Sequence, residues 1–123
     1  MKLSEWLKKE YRSFPSPEKL AEREEKLIER VAETIHEVAG EEFSIHARGF
    51  EIYVVPPPWS KTIYSYEPDG WDLPCDLEWD EEGEEMLDLL MWDAYLDDLE
   101  AALDAGYFIT VGEQLKEMYG GEG

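Results

Sequence analysis

The chain has 123 residues, of which 43% are hydrophobic and 13% aromatic, so it contains enough apolar material for one folded domain and is not expected to be disordered. Its formal net charge of −20 argues against direct nucleic-acid binding and against binding to an anionic membrane surface, and no apolar run is long enough to cross a bilayer. A single cysteine, Cys75, excludes an internal disulfide and, with an N-terminus that lacks the apolar core of a signal peptide, predicts a cytoplasmic protein.

The first part of the chain predicts two helices. Ser4 can cap a short N-terminal helix within residues 1–15. The sequence Ser16-Pro17-Glu18 is a strong start signal for a second helix of about 23 residues, which Gly40 would end. Its apolar positions recur at helical spacing and comprise Leu20, Leu27, Val31, Ile35 and Val38.

The middle of the chain predicts β-strands, because apolar and polar residues alternate there. A turn is expected at Arg48-Gly49, three prolines at 56–58 would end the following strand, and Glu67-Pro68-Asp69-Gly70 is a turn signature. The predicted strands are residues 43–47, 50–55 and 62–66, with residues 73–79 as a candidate fourth strand.

The last part predicts a second long helix from Glu84 to Ala105, ended by Gly106. Residues 107–111 are expected to be a short strand or a connection, residues 113–119 one or two helical turns, and residues 120–123 a flexible tail. The predicted fold is therefore a single α+β domain spanning residues 1–123, with two long helices packed on a small antiparallel sheet of three to four strands.

The acidic charge is concentrated in the second half of the chain. Residues 1–62 contain 10 basic and 12 acidic side chains and are nearly balanced. Between Lys61 and Lys116, by contrast, there are 17 aspartates and glutamates and no lysine or arginine. A field of this sign repels nucleic acid and attracts basic surfaces, and such surfaces are richest on proteins that handle nucleic acid.

One group of acids follows the second long helix. Asp93, Asp97, Glu100 and Asp104 are spaced four, three and four residues apart, so they form a line along one side, with neighbours roughly 5–6 Å apart. We call these four residues the acidic line. Because no lysine or arginine lies near it in the sequence, we expect the line to be uninterrupted and to bind a basic partner; the alternative is a solvated face that serves solubility.

A second group of candidate partner-binding residues lies before and at the start of this helix. It comprises Glu78, Asp80, Glu81, Glu82, Glu84 and Glu85, with Asp69 and Asp72 upstream. Carboxylates beside exposed aromatic rings suit the capture of surfaces rich in arginine and lysine. Trp71, next to Gly70 in a turn, is the expected exposed ring, whereas Tyr64, Tyr66 and Trp79 are expected to pack into the buried face of the sheet.

No cofactor, metal site or enzymatic activity is predicted. Glu78, Asp80, Glu82 and Gly83 imitate part of an EF-hand loop, but Leu89 stands where the bidentate glutamate belongs, which leaves only weak Ca²⁺ binding open. One cysteine and two histidines cannot form a conventional structural zinc site. Neither His36 nor His46 has a serine or cysteine neighbour that would indicate a nucleophile.

In its size and in the acidic helix from Glu84 to Asp104, the chain resembles the acidic DNA-mimic inhibitors of phages and mobile elements, the anti-restriction and anti-CRISPR class. The resemblance implies a non-enzymatic inhibitor that acts in the host bacterial cytoplasm by binding the basic nucleic-acid-binding surface of a nuclease or CRISPR effector. Two alternatives stay open. One is an immunity protein or antitoxin that neutralises a basic nuclease toxin, and the other is an accessory or homodimerising domain whose acidity serves solubility.

Overall fold

The architecture follows the order of its elements along the chain. A computed structural model describes residues 1–55, 61–67 and 72–119. The described residues form α1 (Leu3–Glu10), α2 (Pro17–Ala39), β1 (Ser44–Arg48), β2 (Glu51–Val55), β3 (Lys61–Ser65), α3 (Glu81–Asp104) and α4 (Tyr107–Tyr119). The predicted α+β fold is confirmed, since the two long helices α2 and α3 pack on a three-stranded antiparallel sheet in the order β1-β2-β3.

The sheet buries one face against the helices. Gly49, with φ of 62°, provides the left-handed residue that the predicted turn between β1 and β2 needs. The pairing of β2 with β3 shifts by one residue, because Ile52 lies opposite Tyr64 whereas Tyr53 lies opposite Thr62. Ile63 is therefore an extra residue, and this irregularity lets Ile63 and Tyr64 both reach the core although they are consecutive.

Helix α2 has the start and end that its sequence predicts. The hydroxyl of Ser16 accepts a hydrogen bond from the backbone N–H of Lys19 at 3.1 Å, and Pro17 occupies the first helical position. Gly40 ends the helix with φ of 115°. The residues that α2 buries are Leu20, Leu27, Val31 and Ile35, all of which the helical spacing predicts.

The apolar side chains form two separate clusters. The main core contains the inner face of the sheet and residues of α2, the second half of α3, and α4. A smaller core joins α1 to the first half of α3 through Leu3, Leu7, Met86 and Leu90. Leu73 and Leu77 pack against this smaller core, so the segment before α3 covers it from a third side.

Two predicted elements are wrong. Residues 73–79 do not form a strand, because their β-pairing within the described residues is limited to one isolated bridge between Lys2 and Glu78, in which the N–H of Leu3 donates to the carbonyl oxygen of Glu78 at 2.8 Å. Residues 107–119 form one continuous helix, since Phe108, Val111 and Leu115 have helical spacing and all are buried. The predicted tail at 120–123 lies outside the described residues, and so do residues 68–70 of the turn signature at 67–70.

None of the helices in the described ranges is both long and apolar enough to cross a bilayer.

A close approach between α1 and α3 makes Gly83 a sensitive position. A Cβ atom at Gly83 would lie 2.7 Å from the backbone nitrogen of Ser4 and 2.8 Å from Cβ of Leu3. Contacts this short cannot be relieved by moving a flexible side chain, because one of the atoms belongs to the backbone. Helix α1 can therefore dock on α3 only where α3 has no side chain.

We predict that Gly83→Ala destabilises the fold. Alanine favours a helix over glycine by about 1 kcal/mol, but overpacking costs roughly 1–3 kcal/mol, so we expect a net decrease in the free energy of unfolding measured with urea. Glu84→Ala, at the exposed next position, should stay within about 0.5 kcal/mol of the wild type. A stabilised Gly83→Ala protein would contradict the close packing of α1 on α3.

Candidate functional site

Helix α3 has two stripes of residues on opposite sides. Halfway along the helix, one stripe changes from acidic to apolar and the other from apolar to acidic. Spacings of three and four residues keep the members of each stripe on one side. The first stripe begins with acids and continues with apolar residues: Glu81, Glu85, Asp88, Trp92, Leu96, Leu99 and Leu103. The second begins with apolar residues and continues with the acidic line: Gly83, Met86, Leu90, Asp93, Asp97, Glu100 and Asp104.

The burial of α3 reverses in step with these stripes. In its first half the helix buries Met86 and Leu90 of the second stripe in the smaller core. In its second half it buries Leu96 and Leu99 of the first stripe in the main core. The two sets of acids consequently lie on opposite sides of the helix.

The acidic line lies against α2, which supplies its counter-charges. The guanidinium of Arg23 lies 2.8 Å from Asp97, 3.2 Å from Glu100 and 3.5 Å from Asp93. Arg30 lies 3.3 Å from Asp104. The expectation of an uninterrupted acidic line is therefore wrong, although the binding of a partner by these four residues stays a prediction. One sequence does not display these pairs, because 70 to 77 positions separate the arginines from the carboxylates that they contact.

The charge of Arg23 is stabilised by its surroundings. Partial burial opposes the charged form of Arg23, but the hydrogen bond to Asp97 and the neighbouring carboxylates outweigh it and raise the pKa of the guanidinium. Three carboxylates share this one cation, so a formal surplus of two negative charges remains around it.

Four other acids of α3 have no such partner among the described residues. Glu81, Glu84, Glu85 and Asp88 project from one side of its first turns, and we call these four residues the acidic face. All four are exposed, and in the ranges 1–55, 61–67 and 72–119 none of them forms an ion pair or a side-chain hydrogen bond. The same holds for Glu78, Asp72 and Asp76, which precede the helix.

The remaining members of the second predicted group have structural partners. Glu82 forms an exposed ion pair with Lys8 at 2.7 Å. Asp80 accepts a hydrogen bond from the backbone N–H of Ser4 at 3.0 Å and another from its hydroxyl. Asp80 thus satisfies the first turn of α1, where backbone N–H groups lack helical acceptors. The hydroxyl and the N–H of Ser4 lower the pKa of the Asp80 carboxyl.

An exposed tryptophan precedes the acidic face by two residues in the chain. Trp79 is 58% exposed, so the expectation that it packs into the sheet is wrong. The reason is that residues 73–79 are not a strand and Trp79 has no sheet face to enter. Tyr64 is buried and Tyr66 half-buried, as expected. The candidates Trp71 and Asp69 lie outside the described residues.

A groove adjoins the other side of α3. It has a volume of about 500 Å³ and lies between the α1–α2 connection and the middle of α3. Tyr11 and Phe14 contribute aromatic rings with centroids 6.1 Å apart, while Asp93 and Asp97 contribute carboxylates. The groove therefore adjoins the charged part of the second stripe.

The described residues contain no group of three or more histidine, cysteine or acidic side chains arranged to hold a metal ion. The Nε2 atom of His36 lies 2.6 Å from the carbonyl oxygen of Phe43, and this contact connects α2 to the residue before β1.

Comparison with protein-family models, curated proteins and solved structures finds no match for this chain. Function is therefore inferred from the surface itself.

We predict that Arg23 contributes more to stability than Arg30, because it contacts three carboxylates instead of one. Arg23→Gln should lower the free energy of unfolding by roughly 1 kcal/mol at low salt, and Arg30→Gln by less than about 0.5 kcal/mol. The difference should shrink at about 0.5 M salt, where screening weakens the repulsion among the freed carboxylates. Urea unfolding of the two variants, which have the same net charge, measures this. An equal decrease in the free energy of unfolding for both variants would contradict the greater contribution of Arg23.

We predict a pH-dependent contribution from Asp80. Because its pKa is lowered in the folded state, its carboxylate stabilises the fold above the ordinary carboxyl pKa, and this stability is lost as the pH falls through the lowered value. The difference in urea midpoint between wild type and Asp80→Asn should be largest near neutral pH and should shrink below about pH 4. The control is Asp76→Asn, at an exposed position whose side chain has no ion pair or hydrogen bond among the described residues. If the difference in urea midpoint between wild type and Asp80→Asn did not change with pH, the charge of Asp80 would not be what stabilises the fold.

Proposed function

We propose that this protein is an acidic inhibitor that binds the basic nucleic-acid-binding surface of a host nuclease or CRISPR effector through the acidic face and Trp79. The observation that carries the proposal is the contrast between the two acid sets of α3. Each carboxylate of the acidic line lies within 3.5 Å of Arg23 or Arg30, whereas the acidic face has no cation partner among the residues of the described ranges. An unpaired set of carboxylates attracts basic surfaces, and its charges remain available for pairing.

The acidic face also lies where the fold can tolerate it. The N-terminus of a helix carries a partial positive charge of roughly half an elementary charge, which favours acids in the first turn. Glu81, Glu82 and Glu84 are in that turn. The dipole reduces the repulsion among the acids but cannot neutralise them, so a strongly negative surface remains.

Trp79 adds a second kind of contact to this surface. A tryptophan face attracts arginine and lysine by about 0.5–2 kcal/mol, depending on how far the pair is removed from water. Tryptophans that become buried in an interface also contribute disproportionately to binding energy. A large exposed ring two residues before unpaired carboxylates therefore favours recognition of a basic protein surface over a general role in solubility.

The dimensions favour obstruction of one basic patch over imitation of a DNA duplex. From Glu81 to Asp88 the helix rises by about 10 Å, which corresponds to roughly three phosphate steps along one DNA strand. A duplex mimic needs a longer array of unpaired charge. The acidic line could extend the array only if Arg23 and Arg30 released it.

We predict that neutralising the acidic face abolishes capture of a basic protein. The variant Glu81→Gln/Glu85→Gln/Asp88→Asn removes three charges from this face, and Glu22→Gln/Glu25→Gln/Glu29→Gln removes the same number from the mixed-charge helix α2. Pull-down from nuclease-treated bacterial lysate at about 0.1 M and 0.5 M salt measures capture under weak and strong screening.

The wild type and the α2 variant should recover a basic nucleic-acid-handling protein at the lower salt concentration only, and the α3 variant should not. Equal loss in both variants would mean that net charge alone acts. Recovery of a nuclease toxin would favour the immunity-protein alternative. Recovery of nothing, or only of a second copy of the chain, would favour the accessory or homodimerising alternative.

A further inference from the structure

A groove between β3 and α4, which we call the β3–α4 groove, differs in charge from the other grooves of the described residues. Its volume is about 220 Å³, and none of the residues that line it is acidic. Three other grooves in the described ranges are each lined by two or three carboxylates. The lining of the β3–α4 groove includes Lys61, Ile63, Tyr107, Val111, Gln114 and Met118.

The α4 wall of this groove exposes large apolar side chains. Tyr107, Val111, Gln114 and Met118 are spaced four, three and four residues apart, which places them on one side of α4. Within this row Tyr107 is 42% exposed and Met118 is 55% exposed. Apolar area of this kind is available to a partner that covers the groove.

The other wall is β3, an edge strand of the sheet. The hydroxyl of Tyr107 donates a hydrogen bond to the carbonyl oxygen of Ile63 at 2.9 Å. This bond occupies a backbone group of the edge strand and so hinders the addition of a further strand there. A partner of this surface therefore meets side chains.

The charges at the border of the groove are of both signs. Lys61 lines the groove from β3, and Glu117 on α4 is next to Met118 and three residues after Gln114. Both charged side chains are exposed, and neither forms an ion pair within the described residues. In a two-fold symmetric contact, a residue pair formed once is formed twice. Lys61 of each copy can then pair with Glu117 of the other, so the surface is complementary to itself in charge.

We propose that a second copy of this chain docks on the β3–α4 groove and forms a two-fold symmetric dimer. Two chains with a formal net charge of −20 repel each other, so they can make contact only where neither presents a surplus of carboxylates. Tyr107 and Met118 supply the apolar contact, and the two Lys61–Glu117 pairs fix its register. The acidic face lies on the first half of α3 and shares no residue with this groove, so the dimer presents two acidic faces.

Sedimentation velocity of the wild type tests the dimer at about 1 µM to 1 mM protein, the range of weak to moderate affinities. The dimer should be more stable at about 0.5 M salt than at 0.1 M, because salt screens the repulsion between the net charges more than the apolar contact. Capture of a basic partner should show the opposite salt dependence, so failure of this inference and failure of the proposed function are distinguishable. A protein that stays monomeric up to about 1 mM at the higher salt concentration would overturn the dimer.

Met118→Ser tests the apolar contact. It removes one exposed apolar side chain from each side of the interface, so the dissociation constant should rise at least about tenfold. Ile109→Ser is the control, because Ile109 is 48% exposed on the same helix but does not line the groove. Equal weakening by the two variants, or none by Met118→Ser, would overturn the assignment of this groove. Circular dichroism checks that both variants are folded.

Charge reversal tests the register at about 0.15 M salt, where screening of adjacent charges is incomplete. Lys61→Glu and Glu117→Lys should each weaken the dimer by about fivefold or more, because each places like charges opposite one another. The double variant, which has the wild-type net charge, should restore the dimer. Lys116→Glu makes the same charge change at an exposed position outside the groove and should have a smaller effect than Lys61→Glu. A double variant as weak as the single ones would overturn the two-fold pairing.

Discussion

Helix α3 buries opposite sides in its two halves, and the rest of the structure is arranged around this reversal. Its apolar residues move from the second stripe, with Met86 and Leu90, to the first, with Leu96 and Leu99. A single layer can cover only one side of a helix. The main core therefore covers the second half, and the first half requires α1 together with the segment before α3. Gly83 and the hydrogen bonds from Ser4 to Asp80 fix that additional layer in position.

The same reversal divides the negative charge between two environments. Where the second stripe turns acidic, α2 brings Arg23 and Arg30 to it, so those carboxylates become part of the contact between the two long helices. Where the first stripe is acidic, nothing in the described residues lies across from it, and its carboxylates face solvent. Ion pairs at partly exposed sites contribute little net stability, about 0–1 kcal/mol each. The separation of paired from unpaired carboxylates therefore affects the charge of the exposed surface more than the stability of the fold.

Local sequence signals predicted the elements that depend on local interactions. The cap of α2 at Ser16, its end at Gly40 and the turn at Gly49 all follow from the conformational preferences of those residues. The pairing of Arg23 with the acidic line and the exposure of Trp79 depend instead on contacts between distant segments, which one sequence does not display. The stripes of α3 are an intermediate case, because each half alone has a clear apolar side. Over the whole helix the two sides oppose each other and the amphipathic pattern cancels.

The exposed acids of α3 are costly enough to call for an explanation beyond solubility. Like charges three or four residues apart on a helix destabilise it by about 0.2–0.5 kcal/mol per pair, and the acidic face contains several such pairs. Solubility does not require this arrangement, since residues 1–62 mix 10 basic with 12 acidic side chains. The helix dipole offsets the repulsion only in the first turn, and Asp88 lies beyond it. Under the proposed function, the cation that these carboxylates lack among the described residues comes from a basic partner.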